Sequence, residues 1–304
     1  MNPTLPRANE WLDYYQRFRY FSADTVRDGC HPRIMAHPVA VENAIVLVHG
    51  LSDSPHFMTA IGEYFHRALG YNVYLPLLHT HGLKVPRGME AVSLDEWKAN
   101  VNFAVRTAQA KANKVAIGGL STGGTLSFYT AVDNPDITGA LYLFSAALDL
   151  AGGLQGEIKE RLARFPGLAN LVEFVETDKP LIGPNPYRYA YIDKDGAREL
   201  AKLMVETDDI TSAFNAKNRF SKRVFAAHSE ADETADISGI EDLQKVSNPD
   251  QFTFFCIAKA HQVSHASLVL QEPVYAIDGT GRKTQLEAAN PRFQEMMQAI
   301  AGVA

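Results

Sequence analysis

Cysteine is scarce in this sequence, and long apolar runs are missing from it. The two cysteines, Cys30 and Cys256, are too few for a disulfide framework among 304 residues. Cys256 lies in the apolar run 252–258, so we expect its thiol to be buried. The longest apolar run, 140–148, is far shorter than a membrane-spanning helix. These absences exclude a disulfide-stabilised scaffold and a membrane-spanning protein.

Basic residues are fewer than acidic residues. The chain has 29 Lys and Arg residues against 35 Asp and Glu residues, which gives a net charge of −6. Because no Lys/Arg cluster occurs, we expect neither nucleic acid nor an anionic membrane surface as the main partner. The first ten residues lack the continuous apolar core of a secretion signal. We therefore expect a soluble cytoplasmic protein without stable membrane insertion.

The rest of the composition is that of an ordinary globular protein, with 46% hydrophobic and 21% charged residues. Short β-rich runs alternate with helical patterns, which predicts an α/β fold with a mostly parallel central sheet flanked by helices. The predicted strands are 44–50, 71–76, 114–118, 139–145, 223–228 and 251–258. The predicted helices between and after them are 56–69, 94–110, 124–132, 240–246 and 291–301.

Two of these helices have recognisable N-terminal signals. Ser93 and Glu96 have the spacing of a capping box at the start of helix 94–110. Asn290 followed by Pro291 is typical of an N-cap and a first helical position. We therefore expect the terminal helix to begin at Pro291.

The alternation of strands and helices stops near residue 147. Helical segments are predicted at 155–165, 168–176 and 197–206, but no convincing core strand occurs before 223. We interpret 150–222 as a cap inserted into a core domain formed by 1–149 and 223–304. The segment 270–283 matches no pattern that we can interpret.

A serine stands between two glycines where a predicted strand meets a predicted helix. The residues Gly-Leu-Ser-Thr-Gly at 119–123 join strand 114–118 to helix 124–132. Glycines two positions before and after a serine remove the side chains that would collide in such a tight turn, which leaves the hydroxyl accessible. Ser121 is therefore a candidate nucleophile. A flexible glycine-rich turn without chemistry is the alternative.

A serine nucleophile needs a histidine that takes its proton and a carboxylate that orients the histidine. In open parallel sheets, reactive groups gather at the carboxyl ends of the strands. Such residues follow the last two predicted strands: Glu230, Asp232 and Asp236 after 223–228, and His261 and His265 after 251–258. The sequence thus offers a candidate acid and a candidate histidine for Ser121.

The order of these residues resembles the α/β-hydrolase superfamily, in which nucleophile, acid and histidine follow one another along the chain. The resemblance covers roughly residues 40–300. Within the superfamily, the chain is most similar to carboxylesterases and monoacylglycerol-lipase-like enzymes. The segment 75–82, followed by Asp-Glu-Trp at 95–97, is similar to a loop and helix common in that branch.

The resemblance implies that Ser121, Asp232 and His265 form a catalytic triad. Asp232 belongs to Ala-Asp-Glu-Thr at 231–234, which is similar to the acid loop of the family. A small residue precedes His265 and a hydrophobic residue soon follows it, as is common for the family's histidine. The alternatives are Glu230, Asp236 and Asp149 for the acid and His261 for the histidine.

The resemblance also implies an oxyanion hole formed by the backbone N–H groups of Leu51 and Thr122. The N–H of Thr122 lies at the start of a helix, where the helix dipole favours negative charge. Leu51 follows the strand 44–50, in a loop that begins with His49 and Gly50. We expect His49 to be buried, hydrogen-bonded and not itself reactive.

Other kinds of site are disfavoured. His261 and His265 are four residues apart but lack the glutamate of a zinc-binding H-E-x-x-H helix. The glycines at 118–124 match neither a dinucleotide fingerprint nor a P-loop, since Gly124 stands where the P-loop lysine is required. We therefore expect no metal and no organic cofactor.

These features together predict a serine esterase or lipase that cleaves small, lipophilic carboxylic esters through an acyl-enzyme. One alternative is an acyltransferase that uses the same triad. The other is a non-catalytic protein of the same fold that binds a hydrophobic ligand. The sequence contains no signal for the substrate's chain length or for the oligomeric state.

Overall fold

The computed structural model of the chain describes residues 11–85, 88–148, 185–277 and 279–304. The helices predicted at 155–165 and 168–176 lie outside these residues, as does Asp149. None of the described helices is long and apolar enough to cross a membrane.

Seven strands form the central sheet, in the order β1-β3-β2-β4-β5-β6-β7. All pair in parallel except β1, which is antiparallel to β3. Most of the interior strands are continuous apolar runs because helices cover both faces of the sheet. This arrangement confirms the predicted α/β fold. The strands are β1 Arg33–Met35, β2 Asn43–Val48, β3 Asn72–Leu75, β4 Lys114–Leu120, β5 Leu141–Phe144, β6 Val224–Ser229 and β7 Phe252–Ile257.

Two apolar clusters, one on each face of the sheet, hold the helices in place. One cluster includes Trp97 and Leu126, and the other includes Phe65 and Met296. The helix Phe293–Ala301, for example, buries an apolar stripe spaced at three and four residues, formed by Phe293, Met296, Met297 and Ile300. The helices are α1 Leu12–Arg17, α2 Thr59–Arg67, α3 Leu94–Gln109, α4 Thr122–Asp133, α5 Lys194–Ser212, α6 Ser238–Val246 and α7 Phe293–Ala301.

Three described elements are absent from the sequence-based prediction: α1, β1 and a hairpin near the end of the chain. The hairpin consists of β8 Val274–Ile277 and β9 Lys283–Glu287, which pair antiparallel with a register shift after Val274. Strand β1 has three residues, too few for a periodic pattern. Strand β9 is largely exposed and therefore lacks apolar alternation.

The capping box predicted at the start of α3 does not form. The side chain of Ser93 makes no cap hydrogen bond. Its backbone N–H donates to Nδ1 of His79 over 3.3 Å. Glu96 instead accepts a hydrogen bond of 3.1 Å from the Tyr20 hydroxyl. Tertiary partners have thus replaced the local reciprocal bonds of a capping box.

Two further expectations need correction. Helix α7 begins at Phe293 and not at Pro291, although Asn290 Oδ1 still accepts the N–H of Arg292 over 2.8 Å. The expectation of a buried Cys256 is wrong, because its thiol is exposed. Cys256 lies on β7, which is an edge strand of the sheet and is only partly covered.

Candidate active site

Ser121 lies at a sharp turn between β4 and α4, at the carboxyl edge of the sheet. Its φ and ψ angles are 53° and −122°, a combination that residues other than glycine rarely adopt. Its N–H donates to the carbonyl of Phe144 over 3.0 Å, and its carbonyl accepts the N–H of Thr125 over 3.1 Å. Such a conformation costs about 1–3 kcal/mol and persists because the surrounding structure holds it.

The glycines on each side of Ser121 allow β2 and α4 to approach very closely. A Cβ atom on Gly119 would lie 2.5 Å from the carbonyl oxygen of Val48. On Gly123 it would lie 2.2 Å from the same oxygen and 2.4 Å from that of His49. Hydrogen is the only side chain that fits at these two positions. The approach brings the N-terminus of α4 beside the loop that follows β2.

Asp232 and His265 meet at the same edge, in the loops after β6 and β7. Oδ2 of Asp232 lies 2.7 Å from Nδ1 of His265, and the carboxylate side chain is fully buried at 0% exposure. Its Oδ1 accepts the N–H groups of Thr234 and Ala235 over 2.8 and 3.1 Å. Burial alone would raise the pKa of Asp232. His265, His228 and the Thr234 N–H outweigh it and hold that pKa well below its usual range.

The rival acids have other partners. Oε2 of Glu230 accepts the backbone N–H of Lys259 over 2.9 Å. Oδ1 of Asp236 accepts the N–H of Ser238 over 2.9 Å, at the start of α6. Asp149 lies outside the described residues. Among the described candidates, Asp232 is thus the carboxylate bonded to a candidate histidine.

The two candidate histidines have different environments. His261 is exposed, and its Nε2 lies 2.9 Å from Nη1 of Arg292. Nδ1 of His265 is bonded to Asp232, so its Nε2 remains for proton transfer. Within the described residues, Ser121 and His265 share no hydrogen bond, and catalytic hydrogen bonds often tighten only when substrate is bound.

The backbone N–H groups of Leu51 and Thr122 have no hydrogen-bond acceptor in the part of the chain that the structure describes. Thr122 is the first residue of α4, so its N–H is one of the free donors at a helix N-terminus. The carbonyl of Leu51 accepts a hydrogen bond from Nε2 of His81. Two free N–H donors thus accompany Ser121, as an oxyanion hole requires.

His49 supports the loop that carries Leu51. Its Nδ1 donates to the carbonyl of Gly50 over 2.9 Å, and its Nε2 accepts the N–H of Leu78 over 3.1 Å. Burial lowers the pKa of His49 well below the usual value, so the ring is neutral. Both ring nitrogens are therefore occupied by the backbone, in agreement with a structural role.

His228 is a buried neighbour of Asp232 that was not among the predicted site residues. Its Nε2 lies 3.7 Å from Oδ2 of Asp232 and donates to the carbonyl of Ala235 over 3.1 Å. Burial lowers its pKa, so the ring is neutral. The signal in the sequence was a histidine at the very end of a predicted strand, four residues before the acid.

A buried ionic cluster next to the Leu51 loop was also missed. Arg188 lies between Asp53 and Glu287, with closest N–O distances of 3.0 Å to each. Burial raises the pKa of Glu287, while Arg188 and His265 act to lower it. Asp53 follows a predicted strand and could have been noticed. Arg188 and Glu287 stand in segments without a recognisable pattern.

Comparison with known proteins connects this geometry to a family. A family model described as serine aminopeptidase, S33, matches residues 40–265. The thermostable monoacylglycerol lipase of Bacillus sp. (strain H-257) is 35% identical over 127 residues. That alignment covers 40% of this chain and 50% of the lipase, so the chain spans about half the length of this curated relative.

Solved structures share the fold at low sequence identity. One, from work on the two metagenome-derived lipolytic enzymes LipS and LipT, has a TM-score of 0.63 and 18% identity, over 91% of this chain and 98% of its own. A soluble variant of the monoglyceride lipase of Saccharomyces cerevisiae has a TM-score of 0.58 and 14% identity, over 90% and 92%. Because the family model covers well over half of its residues, this chain belongs to the S33 family of the α/β-hydrolase superfamily.

Proposed function

We propose that this chain is a serine hydrolase that cleaves carboxylic esters with a lipophilic acyl or alcohol part. The observation that carries the proposal is the contact of 2.7 Å between the buried carboxylate of Asp232 and the ring of His265. This pair lies at the sheet edge where Ser121 occupies its strained turn. A buried carboxylate bonded to Nδ1 of a histidine is the arrangement that prepares the other ring nitrogen to act as a base.

The proposed reaction begins when Ser121 Oγ attacks the ester carbonyl carbon. Nε2 of His265 takes the hydroxyl proton, and the Asp232 carboxylate stabilises the imidazolium that forms. The N–H groups of Leu51 and Thr122 bind the oxyanion of the tetrahedral intermediate. His265 then returns the proton to the departing alcohol, which leaves an acyl group on Ser121. His265 then takes a proton from a water molecule, whose oxygen attacks the acyl carbon. The imidazolium returns this proton to Ser121 Oγ as the acyl–oxygen bond breaks, which releases the carboxylic acid and restores the free serine.

The names of similar proteins support a lipophilic ester as the substrate. Similar proteins are named as monoacylglycerol lipases or lipolytic enzymes. The residues 150–222, which separate β5 from β6 along the chain, are proposed to form the cap over the acyl and alcohol pockets. Both cysteines are free, which fits the proposed cytoplasmic location.

Covalent labelling tests the proposal directly. A fluorophosphonate probe is expected to modify Ser121, as mapped by mass spectrometry, and to react far more slowly with the His265→Ala variant. Ser221→Ala, a change at an exposed serine, is the control that should label like the wild type. Labelling that is missing from Ser121, or that does not depend on His265, would exclude this mechanism.

Two further measurements define the reaction. A series of p-nitrophenyl esters of increasing chain length reports the depth of the acyl pocket. Product analysis with an added alcohol, amine or thiol separates hydrolysis from acyl transfer, since both would use the same acyl-enzyme.

A further inference from the structure

A cluster of three buried charges lies beside the proposed oxyanion loop, which we define as residues 49–54. Nε of Arg188 is 3.0 Å from Oδ1 of Asp53, and its Nη1 is 3.0 Å from Oε1 of Glu287. The three side chains are 4%, 6% and 10% exposed. They come from three separate parts of the chain: the oxyanion loop, the segment before α5, and the hairpin strand β9.

Stability is a poor explanation for this cluster. Burying ionic groups is costly, and pairing repays the cost only where the hydrogen bonds are well formed. Nε of Arg188 is buried without a well-aligned hydrogen-bond partner in the described residues, although Asp53 is close. The guanidinium also lies 4.3 Å from the ring centre of Phe57, a cation–π contact that helps to fix its position. A requirement for a particular geometry explains the charges better.

The geometry that the cluster controls is that of the oxyanion loop. The N–H of Asp53 donates to the carbonyl of Gly50 over 3.2 Å, so Asp53 closes the turn that contains Leu51. Tyr189, which follows Arg188 in the chain, also contacts this loop. Its N–H donates to the carbonyl of Ser52 over 2.9 Å. Residues 188 and 189 therefore hold the loop at two consecutive positions.

We propose that Arg188 is a positioning residue for oxyanion stabilisation: it holds Asp53, and through it orients the N–H of Leu51. Glu287 fixes the guanidinium from the opposite side, which gives the hairpin β8–β9 a role in catalysis. This inference rests on the proposed function. Among the described residues, Asp53, Arg188 and Glu287 share no hydrogen bond with Ser121 or His265, and Glu287 interacts electrostatically with His265.

A positioning role predicts a specific kinetic signature. An oxyanion hole acts in the transition state, so a misaligned donor lowers kcat and leaves KM nearly unchanged. Complete loss of one donor typically lowers kcat by about 10²–10³-fold. For Asp53→Asn and Glu287→Gln, which keep the shape and remove the charge, we expect a loss of about 10–100-fold in kcat.

The experiment compares these two variants with the wild type and with Glu295→Gln. Glu295 forms an exposed ion pair with Arg292 and serves as the matched control. For each protein, kcat and KM are measured with p-nitrophenyl butyrate, together with the inhibition constant of a trifluoromethyl ketone. That ketone forms a tetrahedral oxyanion on the serine, so its affinity should fall in proportion to kcat/KM in the two cluster variants. The control should stay within about twofold of the wild type.

Three outcomes separate the hypotheses. If Asp53→Asn and Glu287→Gln unfold more readily but keep kcat and ketone affinity within twofold of wild type, the cluster is merely structural and the inference is wrong. A rise in KM at constant kcat also contradicts it. If the wild type itself is not labelled at Ser121 by a fluorophosphonate, the proposed function fails instead.

Two variants of Arg188 test the two-sided contact itself. Arg188→Lys retains the charge but cannot contact both carboxylates in the same way, so it should keep only part of the activity that Arg188→Ala loses.

Discussion

The two sides of the candidate site are held in place by different forces. On the nucleophile side, Ser121 is positioned by backbone packed against backbone, with glycines at the closest contacts. On the acid side, Asp232 and His265 stand in loops and are positioned by hydrogen bonds to a side chain and to backbone N–H groups.

This difference determines what each side tolerates. Steric contacts of 2.2–2.5 Å rise steeply in energy, so the nucleophile turn should not accept even a methyl group. Hydrogen bonds to a carboxylate depend on charge and orientation. An amide of the same shape should therefore fold well on the acid side and still fail in catalysis.

The largest effect is expected from Gly123→Ala, which places a methyl group against the carbonyls of Val48 and His49. We expect the free energy of unfolding to fall by about 3 kcal/mol or more and the activity to be lost as well. Urea unfolding monitored by circular dichroism measures it. Gly279→Ala is the control, since a Cβ atom there meets nothing within 4 Å. Equal stability of the two variants would disprove the steric account.

Asp232→Asn should separate catalysis from folding on the acid side. The amide no longer stabilises the imidazolium and can hold His265 in the wrong tautomer, so we expect kcat to fall by about 10³–10⁴-fold. The variant should remain folded, as its circular dichroism spectrum would show. Asp236 is an exposed neighbour whose side chain accepts a hydrogen bond at the start of α6, so Asp236→Asn should retain activity within about twofold. A loss of similar size in both variants would contradict the assignment.

Acid should weaken the acid side through the same carboxylate. In the folded chain Asp232 stays ionised because its pKa is well below the usual range, whereas in the unfolded chain it binds a proton below about pH 4. Its stabilising contribution is therefore complete above about pH 4 and is lost as the pH falls further. Between about pH 4 and pH 3, the wild type should lose up to about 1.4 kcal/mol more in unfolding free energy than Asp232→Asn. Urea titrations at several pH values give the free energy of unfolding of both proteins. If this free energy falls equally with pH in the wild type and in Asp232→Asn, the explanation is wrong.

The smallest effect is expected at His261, the other histidine of the same loop. Its ring is exposed and contacts Arg292 rather than a carboxylate of the site. We expect His261→Gln to retain kcat/KM within about twofold, whereas His265→Gln should lose at least about 10³-fold. Ester hydrolysis assays on both variants provide the test. A severe loss at His261 would reverse the choice of the base.

Much of the fold could be predicted because the buried strands are continuous apolar runs. The runs ending near Val48, Leu120 and Ser229 became β2, β4 and β6 within a few residues. The α1 helix, β1 and the hairpin β8–β9 were missed, because short or half-exposed elements carry little periodic signal. The burial of Cys256 was misjudged for a related reason: an apolar run does not reveal whether its strand lies at the centre or the edge of a sheet.

Some features of the candidate site follow from a local sequence pattern, and others arise only from contacts between distant segments. The sequence by itself determined the turn at Ser121, since a positive φ angle and a close backbone approach leave a local signature of glycines. The tertiary structure decided which carboxylate meets which histidine, and it alone brought Arg188 between Asp53 and Glu287. The physical reason is that contacts between distant segments depend on how strands and loops pack together, and no local pattern records that packing.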